Sequence, residues 1–380
     1  MRLLHTADLH LGRQFNGISL EPDHDAVLDQ IAAAVAAHEV DALVIAGDVF
    51  DRAAPSASAV RQFNAFLARI RAETGAAVVM IAGNHDSGDR IEAMSVMTDT
   101  ARALIRGTVA AEEPPLILED AHGAVAISAL PFAWEYAARE VFGDESLASP
   151  EDVMRAQIAA ARAALPEGAR WVIVAHGTVA GAAVSDAERP LARIGGVETV
   201  GAELFDGAQY VALGHLHRPQ SAGRAGIRYA GAPLAFGFDE AGEEKSMSLV
   251  EIGGAGEVRI APIPFRPIRG VRVIEGRHAD LLHLPPTEDF LRVVLTDEAP
   301  VIDAMRRLRA VFPNACDLAY AREMQAPEVK ALGGAPAALD DPLAVIGDFL
   351  TQLRGEGPDA AELAAIVATL DGLRGREEGA

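Results

Sequence analysis

The chain contains a single cysteine, Cys316, among its 380 residues. One cysteine cannot form a disulfide within the chain, so we expect a small buried apolar side chain and a protein of the reducing cytoplasm. The sequence also lacks an apolar run of about 18 residues, which argues against a transmembrane helix and a membrane partner. Because the first residues enter a buried-strand pattern at once, no signal peptide is expected either.

Basic side chains are scarce as well. The sequence holds 33 Lys and Arg residues against 55 Asp and Glu residues, which gives a net charge of −22. Proteins that bind bare nucleic acid tightly rely mainly on basic side chains that displace counterions. The charge therefore argues against strong, unassisted nucleic-acid binding. Metal ions and a partner subunit would have to supply much of the positive charge at any nucleic-acid site.

The first part of the chain alternates short apolar runs with helical patterns. Leu3-Leu4 opens the first predicted strand, and further strands are predicted at 42–46 and 78–82. Between them lie two helix faces: Val27, Leu28, Ile31 and Val35, then Val60, Phe63, Leu67 and Ile70. Further strands are predicted at 124–130, 171–175, 210–213, 227–230, 247–252 and 258–263, with a helix over 151–165. The β-α-β-α-β opening predicts an α/β fold with largely parallel strands. So many strands imply two packed sheets covered by helices, an α/β/β/α sandwich over residues 1–268.

The pattern changes beyond residue 268. Strands near 271–274, 291–295 and 317–321 and a helix carrying Val301, Met305, Leu308 and Phe312 predict a small α+β capping domain over 269–332. Residues 333–341 are rich in Gly, Ala and Pro and are predicted to form a linker.

Two amphipathic helices are predicted over 342–380. Their apolar residues are Leu343, Ile346, Leu350 and Leu353 in the first helix, and Leu363, Ile366, Val367, Leu370 and Leu373 in the second. Such faces pack either on their own chain or in the groove of a partner. We favour a partner protein, because the helices follow a flexible linker.

Five short polar motifs lie at or just after the carboxyl ends of predicted strands, where open α/β sheets place their sites. They are Asp8-Leu9-His10, Gly47-Asp48-Val49-Phe50-Asp51, Gly83-Asn84-His85-Asp86, Ala175-His176-Gly177 and Gly214-His215-Leu216-His217. Any one of them occurs by chance, and a lone histidine after a strand is usually structural. Together, five strand ends that finish in imidazole, carboxylate or carboxamide groups indicate a metal site.

The residue types in these motifs suit a pair of divalent cations. Imidazole, carboxylate and amide oxygen ligands favour Mn²⁺, Fe²⁺ or Zn²⁺, and the lack of thiolates argues against structural zinc. Residues i and i+2 of an extended segment project to the same side, so both histidines of His215-Leu216-His217 can reach the ions. Two cations about 3.5–4 Å apart can hold a hydroxide between them and neutralise the charge that protects a phosphodiester from attack.

The order of the five motifs resembles the signature of the calcineurin-like metallophosphoesterase superfamily. All positions of that signature are present in this sequence, and the resemblance implies a role for each. A first metal would be held by Asp8, His10 and His217, a second by Asn84, His176 and His215, and Asp48 would bridge the two.

The same resemblance implies catalytic and substrate-binding candidates. His85 would stand near the substrate phosphate, where it stabilises the transition state or protonates the leaving oxygen. Asp86 would orient His85 through a hydrogen bond. Asp51 is a further catalytic candidate, although some related nucleases place a histidine there. Arg13 and Arg52 flank the motifs and are candidates for phosphate contacts, with solvated surface arginines as the alternative.

Three features of the sequence resemble the SbcD branch of nucleases within this superfamily. They are Leu4-His-Thr-Ala-Asp-Leu-His-Leu-Gly-Arg-Gln-Phe15, the pair Gly47-Asp-Val-Phe-Asp51 and Gly83-Asn-His-Asp-Ser87, and Tyr229-Ala-Gly-Ala-Pro233 followed by Gly237-Phe-Asp-Glu240 and Phe265-Arg-Pro267. The resemblance covers nearly the whole chain and is strongest over 1–268. It implies a manganese-dependent DNA exonuclease and endonuclease of repair and recombination. It also implies a homodimer that works with an SMC-like ATPase subunit, SbcC, on the terminal helices.

Two other functions account for parts of the pattern. A stand-alone phosphoesterase acting on nucleotides or phosphoproteins would use the same metals and suit the acidic charge, but it leaves the capping domain and terminal helices unexplained. A scaffold that kept the fold and lost catalysis would be expected to lack ligands or the catalytic histidine. This sequence retains all of the ligand candidates and His85.

Overall fold

Two six-stranded sheets form the centre of the computed structural model, which describes residues 1–96, 99–184, 192–193, 196–197, 199–324, 343, 346–347, 350 and 357–377. The first sheet contains, in spatial order, β16 (Val258–Pro264), β15 (Ser246–Ile252), β1 (Arg2–Thr6), β4 (Ala42–Ala46), β5 (Ala77–Ile81) and β6 (Ala103–Arg106). Strands β1, β4, β5 and β6 are parallel, and β15 and β16 complete the sheet in antiparallel pairs. The predicted parallel β-α-β-α-β opening is confirmed.

The second sheet has the same number of strands. Its spatial order is β13 (Gln220–Ala222), β14 (Arg224–Tyr229), β12 (Tyr210–Gly214), β9 (Arg170–His176), β8 (Gly123–Leu130) and β7 (Leu116–Asp120). The four inner strands are parallel, and the two edge strands, β13 and β7, pair antiparallel. Two short hairpins were not predicted: β2 (Gln14–Phe15) with β3 (Ile18–Ser19), and β10 (Ala192–Arg193) with β11 (Gly196–Val197).

Among the described residues, helices lie between the strands and after the last strand. They are α1 (Glu21–Ala37), α2 (Ala57–Glu73), α3 (Gly88–Glu92), α4 (Glu135–Phe142), α5 (Pro150–Ala163), α6 (His278–Leu281), α7 (Ala304–Arg309), α8 (Ala321–Met324) and α9 (Ala360–Glu377), with 3₁₀ turns at Ala202–Phe205 and Phe238–Glu240. Local chemistry explains the start of α5. The Ser149 hydroxyl accepts the Asp152 amide hydrogen and the Asp152 carboxylate accepts the Ser149 amide hydrogen, which is a reciprocal cap.

Strand β4 shows how the layers are held together. All five of its residues are buried, and neighbours along a strand point to opposite faces. Leu43 and Ile45 join the apolar core beneath α1 and α2, whereas Val44 packs in the core between the two sheets. A third core joins the outer face of the second sheet to α5. Each fully buried aliphatic side chain contributes about 1.5–3 kcal/mol. The predicted α/β/β/α sandwich is confirmed.

The segment that follows the sandwich carries a small three-stranded sheet in the order β17 (Val271–Gly276), β18 (Phe290–Leu295) and β19 (Ala315–Tyr320). Strands β17 and β18 are parallel. The predicted helix from Val301 is shorter than expected and begins at Ala304. Its N-cap residue, Asp303, adopts a left-handed backbone conformation (φ 54°). Ile302, the residue before it, is 86% exposed.

The chain divides into two compact units, Met1–Leu318 and Ala319–Ala380. Residues 269–318 therefore belong to the same unit as the sandwich, and Phe290 stacks on Phe15 with ring centroids 4.8 Å apart. The predicted linker at 333–341 lies outside the described residues, as do residues 325–332 and Leu353. Of the first predicted terminal helix, residues 343, 346, 347 and 350 are described and helical; the second is α9. Among the described residues no helix is both long and apolar enough to cross a bilayer.

Candidate metal centre

The five polar motifs meet where the carboxyl ends of parallel strands from both sheets come together. Asp8, Asp48 and Asn84 follow β1, β4 and β5 of the first sheet, while His176 ends β9 and His215 follows β12 of the second. Six of the seven predicted ligands are buried, and Asn84 is partly exposed. The structure therefore brings all seven side chains to one place, although they come from widely separated parts of the chain.

The backbone is strained at this place. Asp8, His10, Asp48 and His215 adopt positive φ angles of 54°, 46°, 48° and 102°, which L-residues rarely do. Amide hydrogens of Asp8 and His10 bond to the carbonyl oxygens of Gly47 and Asp48 over 3.1 and 3.0 Å, so the two loops hold each other. Such strain clusters at functional sites, where surrounding structure compensates for it.

One group of donors surrounds His10. The Nε2 atoms of His10 and His217 face each other at 3.2 Å, and Asp48 Oδ2 lies 3.7 Å from His10 Nε2. Asp8 Oδ1 accepts the His215 amide hydrogen at 2.9 Å, while Asp8 Oδ2 is buried with no hydrogen-bond partner among the described residues. The two converging imidazole nitrogens fit a cation, and so does the unsatisfied oxygen of Asp8, whose carboxylate lies within 4.8 Å of ligand atoms of Asp48 and His176. Buried polar atoms otherwise find partners.

A second group surrounds Asn84. Its Oδ1 atom lies 3.0 Å from His176 Nε2 and 3.1 Å from His215 Nδ1. The other ring nitrogen of His176, Nδ1, donates to the Ala46 carbonyl oxygen at 2.9 Å, which fixes the ring with Nε2 toward Asn84. Asp48 Oδ2 is 3.5 Å from His176 Nε2 and so stands between the two groups. This donor set fits a second cation with Asp48 shared.

Burial and charge set the protonation of these side chains. Burial lowers the pKa of His10 far below its usual range and that of His215 to about 3, so both present neutral nitrogens. Burial opposes ionisation of Asp48, but its attraction to His176 outweighs this and holds the pKa of Asp48 well below normal. The same attraction overcomes burial at His176 and raises its pKa to about 9. Burial raises the pKa of Asp8 to about 7.

His85 lies at the open side of the centre. Its Nδ1 atom is 3.0 Å from the backbone oxygen of Asp51, which can only accept, so Nδ1 carries the hydrogen. Its Nε2 atom is 4.0 Å from Asp48 Oδ2, and its ring lies 4.7 Å from that of His10. His85 therefore turns a nitrogen with a lone pair, or with a proton when charged, toward the centre.

The prediction that Asp86 forms a hydrogen bond with His85 is wrong. The Asp86 carboxylate instead accepts the amide hydrogens of Val49, Phe50 and Gly83 at 3.0, 2.9 and 3.0 Å. These amides belong to the loops after β4 and β5 and have no strand partner there. Asp86 therefore links the two ligand-bearing loops. The backbone oxygen of Asp51, rather than the Asp86 carboxylate, is the hydrogen-bond partner of His85.

Asp51 also joins the two predicted phosphate-contact arginines. Its carboxylate lies 3.4 Å from Arg13 Nη1, 3.5 Å from Arg52 Nε and 3.9 Å from His10 Nδ1. Arg13 is largely buried, with its guanidinium 4.6 Å from the centre of the Phe236 ring, whereas the Arg52 side chain is 81% exposed. Arg13 is therefore fixed in direction, and Arg52 reaches into solvent at the rim.

Two residues outside the motifs also reach the centre. The Phe236 ring packs against those of His10 and His217, with centroids 5.1 and 5.4 Å away, and the Glu240 carboxylate lies behind His217. Glu240 ends the segment Gly237-Phe-Asp-Glu240, and Phe236 immediately precedes that segment. No spacing rule marks their roles, because the segment reaches the site only through the fold.

Two family models match the chain. Residues 1–219 match the calcineurin-like phosphoesterase family. Residues 264–353 match the SbcD C-terminal domain, described as the type 5 capsule protein repressor C-terminal domain. The first match covers more than half of the chain and includes all of the motifs.

Proposed function

Since the chain belongs to the calcineurin-like phosphoesterase family, we propose that it hydrolyses DNA phosphodiesters as the nuclease subunit of an SbcCD-type complex. The family consists of phosphoester hydrolases that bind divalent metals, and the two matched domains together are consistent with an SbcD nuclease subunit. The observation that carries the proposal is the position of Asp48 Oδ2 between His10 and His176, within a ring of buried donors.

The proposed ligand assignment is the one that the motifs imply, and the convergence of the seven side chains supports it. Asp8, His10 and His217 would hold one cation, Asn84, His176 and His215 the other, and Asp48 both. When bound, two such cations neutralise phosphoryl oxygens and lower the pKa of water for attack. Mn²⁺ is the proposed ion, with Fe²⁺ and Zn²⁺ as alternatives that suit the same nitrogen and oxygen donors.

The chain's own residues would then position and protonate the substrate. His85, held by the Asp51 backbone, would direct Nε2 at the leaving oxygen and supply a proton there, or stabilise charge on the phosphate. Arg52 at the rim would bind a neighbouring phosphate, and Arg13 would hold Asp51 in place. The role of Asp51 is thus proposed to be indirect.

Residues 269–332 are proposed as a capping domain for DNA recognition, and 342–380, after a linker at 333–341, as the docking site for an SbcC-type ATPase. Within α9, Leu363 and Val367 are 42% and 38% exposed, which suits an apolar face that a partner covers. The net charge of −22 supports this division of labour, because a partner would supply the positive charge that DNA requires. We propose that the complex is built on a homodimer of this chain.

The acidic charge alone would favour a small substrate, so the test compares substrates directly. Chelator-stripped chain is supplied with Mn²⁺ and offered labelled duplex DNA and a generic phosphodiester, with and without a candidate ATPase partner. Cleavage of DNA that increases with the partner supports the proposal. Cleavage of the generic ester with DNA untouched under both conditions would replace it with a stand-alone phosphoesterase.

A further inference from the structure

A buried ion pair lies behind His217, on the opposite side of the ring from His10. The Nε2 atom of His217 faces His10, whereas its Nδ1 atom is 3.6 Å from Glu240 Oε1. Glu240 is 1% exposed and pairs with Lys245, which is 6% exposed. None of the five motifs includes either residue, and neither belongs to the proposed ligand set.

Lys245 holds both the carboxylate and the main chain of the histidine. Its ammonium group donates to Glu240 Oε2, to the His217 carbonyl oxygen at 3.1 Å and to Glu243 Oε2 at 3.4 Å. Only two of the 33 basic residues are lysines, and one of the two is at this buried position. A compact ammonium directs its three hydrogens from one nitrogen to three acceptors around it, whereas guanidinium spreads its five hydrogens over three nitrogens in one plane.

Glu240 is also fastened to the ring that packs on the site. Its Oε1 atom accepts the amide hydrogen of Phe236 at 3.3 Å, and the Phe236 ring contacts both His10 and His217. The carboxylate is thus held by Lys245 on one oxygen and by Phe236 on the other. It cannot move away from His217 without breaking these contacts.

A buried charged pair is costly to desolvate, and apolar residues of the same volume often serve stability equally well. Its presence beside a histidine points to a function. A carboxylate that accepts from one ring nitrogen fixes the hydrogen there and leaves the lone pair on the other nitrogen. The separation of 3.6 Å between Nδ1 and Oε1 is slightly longer than a hydrogen bond, as such contacts often are before a ligand binds.

We propose that Glu240, held in place by Lys245, is a positioning residue that keeps the hydrogen of His217 on Nδ1 and presents Nε2 to the first cation. This inference rests on the proposed metal centre. It adds to that centre a supporting pair that lies outside the five polar motifs, and it assigns to one of the chain's two lysines a place in cation binding.

The experiment uses the full-length chain with Glu240→Gln and the double variant Glu240→Gln with Lys245→Met, which removes both charges and avoids an unpaired buried ammonium. Glu244→Gln is the matched control, because it makes the same change at an exposed position of the same loop. Long-range ¹H–¹⁵N spectra of the metal-free chain report the His217 tautomer. Titration with Mn²⁺ alone, followed by calorimetry, reports cation affinity, and circular dichroism verifies folding.

We expect His217 to carry its hydrogen on Nδ1 in the wild type and in Glu244→Gln, and to populate both tautomers in the two Glu240 variants. We also expect both Glu240 variants to bind Mn²⁺ about 10- to 100-fold more weakly than the wild type at one of the two sites. A folded double variant with the wild-type tautomer and both affinities unchanged would overturn the inference. If the wild type bound no Mn²⁺ at all, the proposed function would fail as well. Mn²⁺ binding that is present in the wild type and unchanged in the Glu240 variants would rule out only the positioning role.

Discussion

Nδ1 of His85 donates a hydrogen bond to the backbone carbonyl oxygen of Asp51 over 3.0 Å. Since a backbone oxygen cannot change its protonation state, this contact orients the ring whatever the pH. The opposite nitrogen of His85 is turned toward Asp48, and it is the group that would meet a substrate phosphate.

Replacement of His85 should therefore separate chemistry from cation binding. We expect His85→Ala to lower phosphodiester hydrolysis by about 10²- to 10⁴-fold, the usual contribution of a positioned proton donor. Mn²⁺ affinity should stay near that of the wild type, because the variant removes no proposed ligand. Steady-state rates and calorimetric titration measure the two effects. An exposed histidine, His122, provides the matched control as His122→Ala; equal loss of Mn²⁺ affinity and rate in His85→Ala would contradict this role.

Asp86 should act on stability rather than through His85. Asp86→Ala leaves three loop amides without an acceptor, each worth about 1–3 kcal/mol when buried and unsatisfied. We expect the free energy of unfolding to fall by roughly 2–5 kcal/mol in urea denaturation of the metal-free chain. Asp86→Asn, which keeps one oxygen acceptor, should lose less. Normal stability of Asp86→Ala together with a lost rate would restore the expectation that Asp86 orients His85.

The close approach of the loops at Gly83 should be intolerant of a side chain. A methyl group there would overlap Asp48 Oδ1 and the Asp48 amide nitrogen, so the shared ligand would have to move. We expect Gly83→Ala to weaken Mn²⁺ binding by at least about tenfold, as displacement of a ligand contact does. Gly75→Ala is the control, because a methyl group at Gly75 meets no atom within 4 Å. Indistinguishable Mn²⁺ titrations of the two variants would show that Asp48 is not held against Gly83.

Acidification should destabilise the fold through His5. Burial first, and then the charge of Arg228, lower the pKa of this histidine from 6.5 to about 3. Below pH 6.5, His5 therefore binds a proton in the unfolded chain but stays neutral in the folded chain. The contribution to stability is complete above that pH and falls by about 1.4 kcal/mol per pH unit on the way toward pH 3.

The variant His5→Asn should show a shallower loss of unfolding free energy between pH 6.5 and 4, measured by urea denaturation at each pH. His122→Asn, an exposed substitution of the same kind, should retain the wild-type slope. Parallel pH profiles for wild type and His5→Asn would show that other groups dominate acid destabilisation.

Strong periodicity made the centre of the fold predictable. The strand Ala42–Ala46 was predicted at its observed ends, because five consecutive apolar residues lie between a helical pattern and Gly47. The edge strands Ala103–Arg106 and Leu116–Asp120 were missed, since they are short and carry exposed or charged side chains. The helix at Ala304 begins late because the backbone at Asp303 turns left-handed, which apolar spacing does not report.

The candidate site shows the same limit at the level of side chains. The motifs identified which residues meet, because parallel strand ends converge at one edge of a sheet. They did not identify the partners of Asp86, because the amides that donate to its carboxylate lie on a loop 37 and 36 residues earlier in the chain. Nor did the five motifs include Glu240. The segment Gly237-Phe-Asp-Glu240 was noted only for its family resemblance, and its contact with His217 arises in the tertiary structure. Long-range polar pairing depends on tertiary structure and leaves no periodic trace.

The most direct test of the two-cation nuclease is hydrolysis of labelled duplex DNA by the chelator-stripped chain after addition of Mn²⁺, measured for wild type and Asp48→Ala in the presence of the ATPase partner. We expect wild type to degrade the DNA only when Mn²⁺ is present, and Asp48→Ala to fail because both cations lose their shared ligand. DNA degradation by Asp48→Ala at the wild-type rate would rule out the two-cation nuclease. So would degradation by the wild type in the continued presence of chelator.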